Sequence, residues 1–435
     1  MKLLLRGGRV IDPASHTDAK LDLLVEDGRI AALGKGLKNA DLLLDVSGCL
    51  ILPGLIDLHT HLREPGFENK ETLASGLEAA VRGGYTAVAA MPNTNPPPDN
   101  PHQILGLVQK ATALGKSRLI PVGTITKGRL GENLAEMGRL RQAGVVAVSD
   151  DGSPMASPEV FRRALQYATQ FDLVVAEHSE DRSLAGEGVM HEGAVSMRLG
   201  LPGIPAAAEV VAVARDLLLA EATGGRIHLM HLSTGRAVEM VRQAKARGVR
   251  VTAEVTPHHL LLTDRAVEEW GYNPCTKVSP PLRTEPDRQF LLEGLLDGTI
   301  DLVATDHAPH APEDKDRDYL TAAFGISGLE TAFPLVLGEL TGSGRFTESE
   351  VVALFTTRPA ACWHLAGGRL ELGGPADIAV FDPGFEWTVD PNGFASRGHN
   401  TPFAGRSLRG KFVCTLVDGK IVWKDGDRFG SLGTG

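Results

Sequence analysis

The feature that most constrains the fold is an alternation of short apolar runs with longer helical patterns through the middle of the chain. Such an alternation predicts βαβ units and a parallel sheet. Eight units predict a (β/α)8 TIM barrel more readily than an open sheet, and no Gly-x-Gly-x-x-Gly opens a helix after the first run, as a dinucleotide fold would require. The predicted strands are Leu50–Leu58, Tyr85–Met91, Arg118–Thr124, Val145–Ser149, Leu173–Glu177, Arg226–Met230, Val251–Val255 and Ile300–Thr305.

The two ends of the chain have a different pattern, in which short apolar segments are separated by turns. Asp27-Gly28 and Asp418-Gly419 each lie between two apolar runs, as in a two-residue β-hairpin. Neither end is large enough to bury a core by itself. We therefore predict that residues 1–52 and 366–435 pair into one small β-sandwich, beside a catalytic barrel at 53–365.

Composition excludes several classes of protein. The formal net charge of −10 disfavours a nucleic-acid or anionic-membrane surface. The first residues form too short an apolar run for a signal peptide, and no run approaches membrane-spanning length. We therefore predict a cytoplasmic protein with no nucleic-acid or membrane partner. The cysteines are scattered without a Cys-x-x-Cys pair, which argues against disulfides and a thiolate zinc site: Cys49, Cys275, Cys362 and Cys414.

His59 and His61 stand at the end of the first predicted strand. In an extended chain, residues two apart point to one face, so both imidazoles can reach one metal ion. Arg63 has the same parity and is expected in the same cavity, where its guanidinium can bind a carboxylate through two parallel hydrogen bonds.

Four other predicted strands also end in residues that bind metals. Barrel enzymes place their chemistry at the carboxyl ends of the strands. Four histidines and two carboxylates exceed the three protein ligands of a single catalytic zinc ion and match a two-metal site. One carboxylate must then bridge the two ions. The added strand-end residues are His178, His231, Asp306 and one of the neighbouring pair Asp150 and Asp151.

Three motifs carry a resemblance to a known family: residues 57–66 (Asp-Leu-His-Thr-His-Leu-Arg-Glu-Pro-Gly), 91–96 (Met-Pro-Asn-Thr-Asn-Pro) and 304–310 (Ala-Thr-Asp-His-Ala-Pro-His). The chain resembles the dihydroorotases of the cyclic amidohydrolase superfamily over essentially its whole length. The resemblance implies a barrel of the metal-dependent hydrolase type and the reversible cyclisation of N-carbamoyl-L-aspartate to L-dihydroorotate in pyrimidine (UMP) biosynthesis. The family also suggests a homodimer or an assembly with aspartate carbamoyltransferase.

The resemblance further implies two Zn²⁺ per subunit, bridged by an acidic residue and a hydroxide. Many related barrels use a carboxylated lysine as the bridge, but no lysine occurs here between Lys127 and Lys245. Asp151 is therefore the expected bridge, as in the type I bacterial branch, and Asp150 is expected to be structural. The first zinc would be held by His59, His61 and Asp306, and the second by His178 and His231. Asp306 would also be the catalytic base.

The positions that match substrate-binding residues of the family form a second implied set. Ser279 stands where the family usually has Asn, and its shorter hydroxyl side chain is expected to reach the substrate through a water molecule. The set is His61, Arg63, Asn93, Ser279, His310, Phe324 and Gly325.

Two alternative functions and one segment remain open. An allantoinase or hydantoinase is disfavoured by the missing lysine and by Arg63, and a non-catalytic partner subunit is disfavoured by the six retained ligands. The segment 307–319 is expected to be a mobile loop, either a surface connection or a closing lid. His258 and His259 are expected at the rim or behind the ligands.

Overall fold

The computed structural model of the protein describes residues 2–429. Its strands, numbered in chain order, are β1 (Lys2–Arg6), β2 (Arg9–Asp12), β3 (Thr17–Lys20), β4 (Asp22–Glu26), β5 (Arg29–Gly34), β6 (Leu42–Asp45), β7 (Leu50–Pro53), β8 (Leu55–Thr60), β9 (Tyr85–Ala90), β10 (Arg118–Gly123), β11 (Ala147–Val148), β12 (Val174–Glu177), β13 (Met190–His191), β14 (Gly203–Ile204), β15 (Ile227–Leu229), β16 (Val251–Val255), β17 (Leu302–Val303), β18 (Ile378–Thr388), β19 (Ser407–Val417) and β20 (Lys420–Lys424).

The α-helices are numbered in the same way. They are α1 (Leu73–Arg82), α2 (Pro101–Leu114), α3 (Met137–Gln142), α4 (Pro158–Thr169), α5 (Arg182–Ala185), α6 (Ala194–Leu199), α7 (Ala206–Thr223), α8 (Gly235–Ala246), α9 (Pro257–Leu261), α10 (Arg265–Glu269), α11 (Glu285–Leu296), α12 (Pro312–Lys315), α13 (Ala332–Gly342), α14 (Glu348–Phe355), α15 (Thr357–Cys362) and α16 (Gly426–Phe429). Within residues 2–429, none of these helices combines the length and apolar character of a membrane span.

Eight parallel strands form the barrel, as predicted. They follow chain order around the sheet from β8 through β9, β10, β11, β12, β15 and β16 to β17, and a parallel bridge between Thr60 and His307 joins the two ends. Alternate side chains, among them Ile56, Val122 and Leu302, fill the interior, because successive side chains of a strand point to opposite faces. Outside, α4 packs on α7, α7 on α8 and α8 on α11. The predicted fold class is confirmed.

Two sheets from the chain ends form the β-sandwich. One has the order β5-β4-β1-β6, and the other has the order β20-β19-β18-β7-β2-β3, so it mixes strands from both ends. Their inner faces share one apolar core, in which Leu3 and Val10 pack with Val380 and Val413. Both predicted Asp-Gly hairpins are present, and Asp27, Gly28, Asp418 and Gly419 all have positive φ, as type I′ turns require.

The first predicted strand, 50–58, is two strands in the structure. β7 belongs to the sandwich and β8 to the barrel, and Gly54 separates them. A Cβ at this glycine would lie 2.2 Å from the side chain of Thr86, so a larger residue cannot occupy the point where the chain changes sheets. The sequence does not indicate this break, because both strands are buried and together form one continuous apolar run of the length of a single strand.

Candidate metal centre

Six metal-type side chains from five barrel strands meet at the carboxyl-terminal mouth. Candidate ligand atoms of His59, His61 and Asp151 all lie within 4.8 Å of one another, and those of Asp151, His178 and His231 do the same. Asp306 stands beside the first group, with its Oδ1 3.0 Å from His61 Nε2 and 3.4 Å from His59 Nε2. The two groups share Asp151. This is the arrangement that two neighbouring metal ions with a common bridging carboxylate require.

The hydrogen bonds of two histidines leave nitrogen lone pairs facing carboxylates. His59 Nδ1 lies 2.7 Å from the acceptor-only carboxylate of Glu254, so Nδ1 carries the proton. His61 Nδ1 likewise donates to Asn93 Oδ1 at 2.9 Å. The Nε2 atoms of both rings face the oxygens of Asp151 and Asp306, and among residues 2–429 the buried His59 Nε2 has no hydrogen-bond partner. When the rings are neutral, their Nε2 lone pairs repel these oxygens, and a cation between them removes the repulsion, so the residues fit a metal centre.

Backbone conformation aims several of these side chains. Arg63, His231 and Asp306 have φ values of 61°, 34° and 47°, in the left-handed region that non-glycine residues rarely adopt. Asp57 fixes the last of these turns, because its carboxylate accepts bonds from the backbone N–H and the hydroxyl of Thr305. These residues lie two or three positions beyond the ends of β8, β15 and β17, so the chain turns sharply there and presents Asp306 to the mouth.

Charge distribution in the centre keeps the carboxylates ionised. Burial would lower the pKa of His59, but the carboxylates around it, Asp306 foremost, outweigh burial and raise this pKa to about 10, so without a metal ion the ring holds a second proton, which a bound cation would replace. Burial would raise the pKa of Asp306, yet the rings of His59 and His61 hold it well below its usual range. Burial and the neighbouring ring of His178 lower the pKa of His231 to about 3, so this imidazole is neutral. Neutral imidazoles and carboxylates are the ligand forms that zinc binds.

A cavity of about 310 Å³ opens beside the six side chains. Its wall includes most of the predicted substrate-binding residues, namely His61, Arg63, Asn93, Ser279, Phe324 and Gly325. The amide of Asn93 also reaches Asp151, at 3.4 Å from Nδ2 to Oδ2.

His310 lies behind the cavity wall. Its Nε2 donates to the carbonyl oxygen of Phe324 at 2.8 Å, and it lies 3.5 Å from Arg63 Nη2. With that proton on Nε2, the opposite nitrogen is the acceptor, and Lys70 Nζ is 3.4 Å from it. His310 therefore contacts both the guanidinium and the backbone of the predicted carboxylate-binding region.

Asp150, His258 and His259 lie close to the proposed ligands and differ in their hydrogen bonds. Asp150, next to Asp151, accepts hydrogen bonds from Ile125 and Thr126, which ties two barrel loops together. His259 is bonded to Thr256 and Pro280, whereas Nε2 of the buried His258 has no hydrogen-bond partner.

Sequence reasoning missed Glu254, which supports the centre from within the barrel. This fully buried carboxylate joins His59 Nδ1 (2.7 Å) to His228 Nε2 (3.0 Å) and accepts from the backbone N–H of His231 (3.3 Å). The sequence does hold a clue, because Glu254 is a lone charge inside the otherwise apolar 251–255 strand. A buried carboxylate in a barrel strand needs a partner.

Comparisons with known proteins agree with this geometry. A dihydro-orotase-like family model matches residues 48–237. The chain is 52% identical over 428 residues to a dihydroorotase of Syntrophotalea carbinolica, covering 98% of this chain and 100% of the relative. It is 51% identical over 426 residues to a dihydroorotase of Pelotomaculum thermopropionicum, covering 98% and 99%. An L-hydantoinase (dihydropyrimidinase) structure from Arthrobacter aurescens matches with a TM-score of 0.85 and 27% identity, covering 97% of this chain and 96% of that one.

Proposed function

The chain belongs to the dihydroorotase family, and from that premise we propose that the cluster at the barrel mouth is its active site. The reaction is the reversible ring closure of N-carbamoyl-L-aspartate to L-dihydroorotate, a step of pyrimidine biosynthesis. The observation that carries the proposal is the pair of ligand groups that share Asp151 beside a cavity of about 310 Å³.

We propose that the centre holds two zinc ions. His59, His61 and Asp306 would hold the first, His178 and His231 the second, and Asp151 would contact both. When bound, the ions supply a water of lowered pKa and polarise the carbonyl that is attacked.

Asp306 is the proposed proton carrier. Its carboxylate is ionised, because the neighbouring His59 and His61 keep its pKa low, so it can accept a proton. In ring opening it takes the proton from the attacking water and delivers it to the amide nitrogen as the carbon–nitrogen bond breaks. In ring closure it takes a proton from the ureido nitrogen as this nitrogen attacks the carbon of the side-chain carboxyl group. It then returns that proton to the carboxyl oxygen that leaves, and with one further proton from solvent this oxygen departs as water when the carbon–oxygen bond breaks.

Arg63 and Asn93 are proposed to contact the α-carboxylate of the substrate, and His310 is proposed to support this binding from behind the cavity wall, through its contacts with Arg63 and Phe324. Burial lowers the pKa of Arg63 to about 10, so the guanidinium remains charged at neutral pH. Its planar fork can bind a carboxylate through two parallel hydrogen bonds. The backbone at Phe324 and Gly325 and the hydroxyl of Ser279 complete this face.

A comparison of substrates tests the proposal against the hydantoinase alternative that the solved structures raise. Hydantoin and allantoin lack the ring carboxylate for which Arg63 is proposed. The purified enzyme should therefore open L-dihydroorotate at least about a hundredfold faster, in kcat/KM, than either compound. A higher kcat/KM for hydantoin or allantoin would overturn the assignment, and no turnover of any of the three would favour a non-catalytic subunit.

We further propose that the enzyme works in the cytoplasm as a homodimer, alone or assembled with aspartate carbamoyltransferase. Sedimentation of the purified chain with and without that partner tests both states.

A further inference from the structure

Lys315 ends helix α12 with its ammonium buried against backbone carbonyls. The residue is 8% exposed, and Nζ donates to the carbonyl oxygens of Pro274 (3.0 Å), Lys277 (3.3 Å) and Ala323 (2.6 Å). An ammonium has three N–H donors, and here all three have acceptors. Burial lowers the pKa of Lys315 to about 8, so the charged form predominates at neutral pH. A buried charge that contacts only main-chain carbonyls fixes backbone positions.

Two of the three carbonyls that Lys315 binds, those of Lys277 and Ala323, belong to residues next to the lining of the substrate cavity. Lys277 is followed by Val278 and Ser279, and Ala323 is followed by Phe324 and Gly325, all of which line the cavity. Lys315 itself lies five positions after His310 in the chain. One ammonium therefore joins its own segment to the two segments that lead into Val278-Ser279 and Phe324-Gly325 of the cavity wall.

Further bonds run between these same segments. Gly325 N–H donates to the carbonyl oxygen of Lys277 at 3.0 Å, and His310 donates to that of Phe324 at 2.8 Å. The amide of Ala323 donates to the carbonyl oxygen of Asp314 at 3.0 Å. The segment 307–319, expected from the sequence to be mobile, is thus tied on both sides to the cavity wall.

We propose that Lys315 is a positioning residue for substrate binding, which holds Ser279, His310 and the 324–325 backbone at the spacing that the substrate carboxylate needs. This rests on the proposed function. Lys315 does not line the cavity, so its effect is exerted through the backbone. Its loss should raise KM while the six proposed metal ligands, to none of which Lys315 donates a hydrogen bond, keep their metal.

Lys245 offers a matched control. Its ammonium also has three acceptors, the carbonyl oxygen of Gly298 (3.1 Å) and the two carboxylate oxygens of Asp301 (2.8 and 2.7 Å). Asp301 precedes β17, so this contact lies at the opposite end of the barrel from the site. Replacing Lys245 tests what the loss of a structural lysine does by itself.

The experiment compares Lys315→Met, Lys315→Arg and Lys245→Met by KM and kcat for L-dihydroorotate, zinc content and melting temperature. Loss of a charge-assisted network should raise KM of Lys315→Met roughly tenfold or more. Its kcat should change less than about threefold, because the groups that act on the reacting atoms stay in place. Zinc content should equal that of the wild type, Lys315→Arg should recover most of the loss in KM, and Lys245→Met should lower the melting temperature alone.

A Lys315→Met enzyme whose KM stays within about twofold of the wild type overturns the proposal. The proposal also fails if Lys245→Met raises KM equally, or if Lys315→Met loses zinc. If the Met variant does not fold, Lys315→Gln, which keeps two N–H donors, decides by the same criteria. Wild-type turnover of L-dihydroorotate is measured first, so a failure of the assigned function is seen before any variant is compared.

Discussion

Replacing Glu254 by Gln should weaken metal binding without touching a ligand. The carboxylate accepts from His59 Nδ1 at 2.7 Å and from His228 Nε2 at 3.0 Å, on different oxygens. A glutamine side chain has one oxygen and one NH2 group, so it can accept from only one of the two rings. Its NH2 then faces the N–H of the other ring. Where that ring is His59, a change of tautomer would relieve the clash but place the proton on Nε2, which is then no longer free to bind a metal ion.

The magnitude follows from the bond that is lost. A hydrogen bond to a charged group contributes about 1.5–3 kcal/mol, and Glu254 is completely buried, so water cannot replace it. Loss of a group that orients a ligand typically weakens metal affinity by about 10–100-fold, which corresponds to about 1.4–2.7 kcal/mol. The two ranges agree. We expect Glu254→Gln to weaken the zinc site that contains His59 by this factor and to lower the free energy of unfolding of the metal-free protein by about 2 kcal/mol.

Chelator competition measures the zinc affinity, and Glu209→Gln serves as the control. Glu209 is also a buried carboxylate, but it accepts from Ser233 and Thr234 and contacts none of the six proposed ligands. The control should lose stability and keep its zinc affinity. If Glu254→Gln binds zinc within about threefold of the wild type, Glu254 does not orient His59 and the argument is wrong.

Three further predictions concern the proposed proton carrier Asp306, the proposed carboxylate-binding residue Arg63, and Glu330, a buried acid outside the site. Asp306→Asn should keep substantial zinc and substrate binding yet lose kcat by at least about a thousandfold, and retained turnover in a stopped assay would remove Asp306 from the base role. Arg63→Met should raise KM for L-dihydroorotate by about a hundredfold. The ratio of kcat/KM for L-dihydroorotate to kcat/KM for hydantoin should also shrink, and an unchanged ratio would show that Arg63 does not bind the carboxylate. Burial raises the pKa of Glu330 to about 7, so the folded state binds a proton more tightly than the unfolded one. Wild-type stability should therefore fall relative to Glu330→Gln as pH rises from about 4.5 to 7, by on the order of 3 kcal/mol. If urea denaturation gives the same pH dependence of the free energy of unfolding for the wild type and for Glu330→Gln across that range, the prediction is wrong.

The barrel could be predicted from the sequence because its strands and helices differ in period and follow one another regularly. The six proposed ligands could also be predicted from the sequence, because each stands at the end of such a strand and the carboxyl ends of barrel strands meet at one mouth. Their assembly around Asp151 is therefore a consequence of the fold class. The roles of the individual ligands remain predictions.

Contacts between distant segments could not be predicted in this way. Glu254 and His59 are 195 positions apart, and nothing in an apolar strand indicates which ring its single carboxylate meets. Lys315 stands in a charged run typical of a solvated loop, yet its ammonium is buried against carbonyls up to 41 positions away. Gly54 divides what looks like one strand because of a neighbour, Thr86, on another strand. Each of these features depends on packing, which periodicity does not encode.

The most direct test of the central claim is a zinc titration of the metal-free enzyme, followed by ring opening of L-dihydroorotate. If two groups of ligands share Asp151, activity should rise until about two zinc ions are bound per chain and then stay level. Full activity at one ion per chain, or turnover that does not depend on added metal, would contradict the two-metal centre.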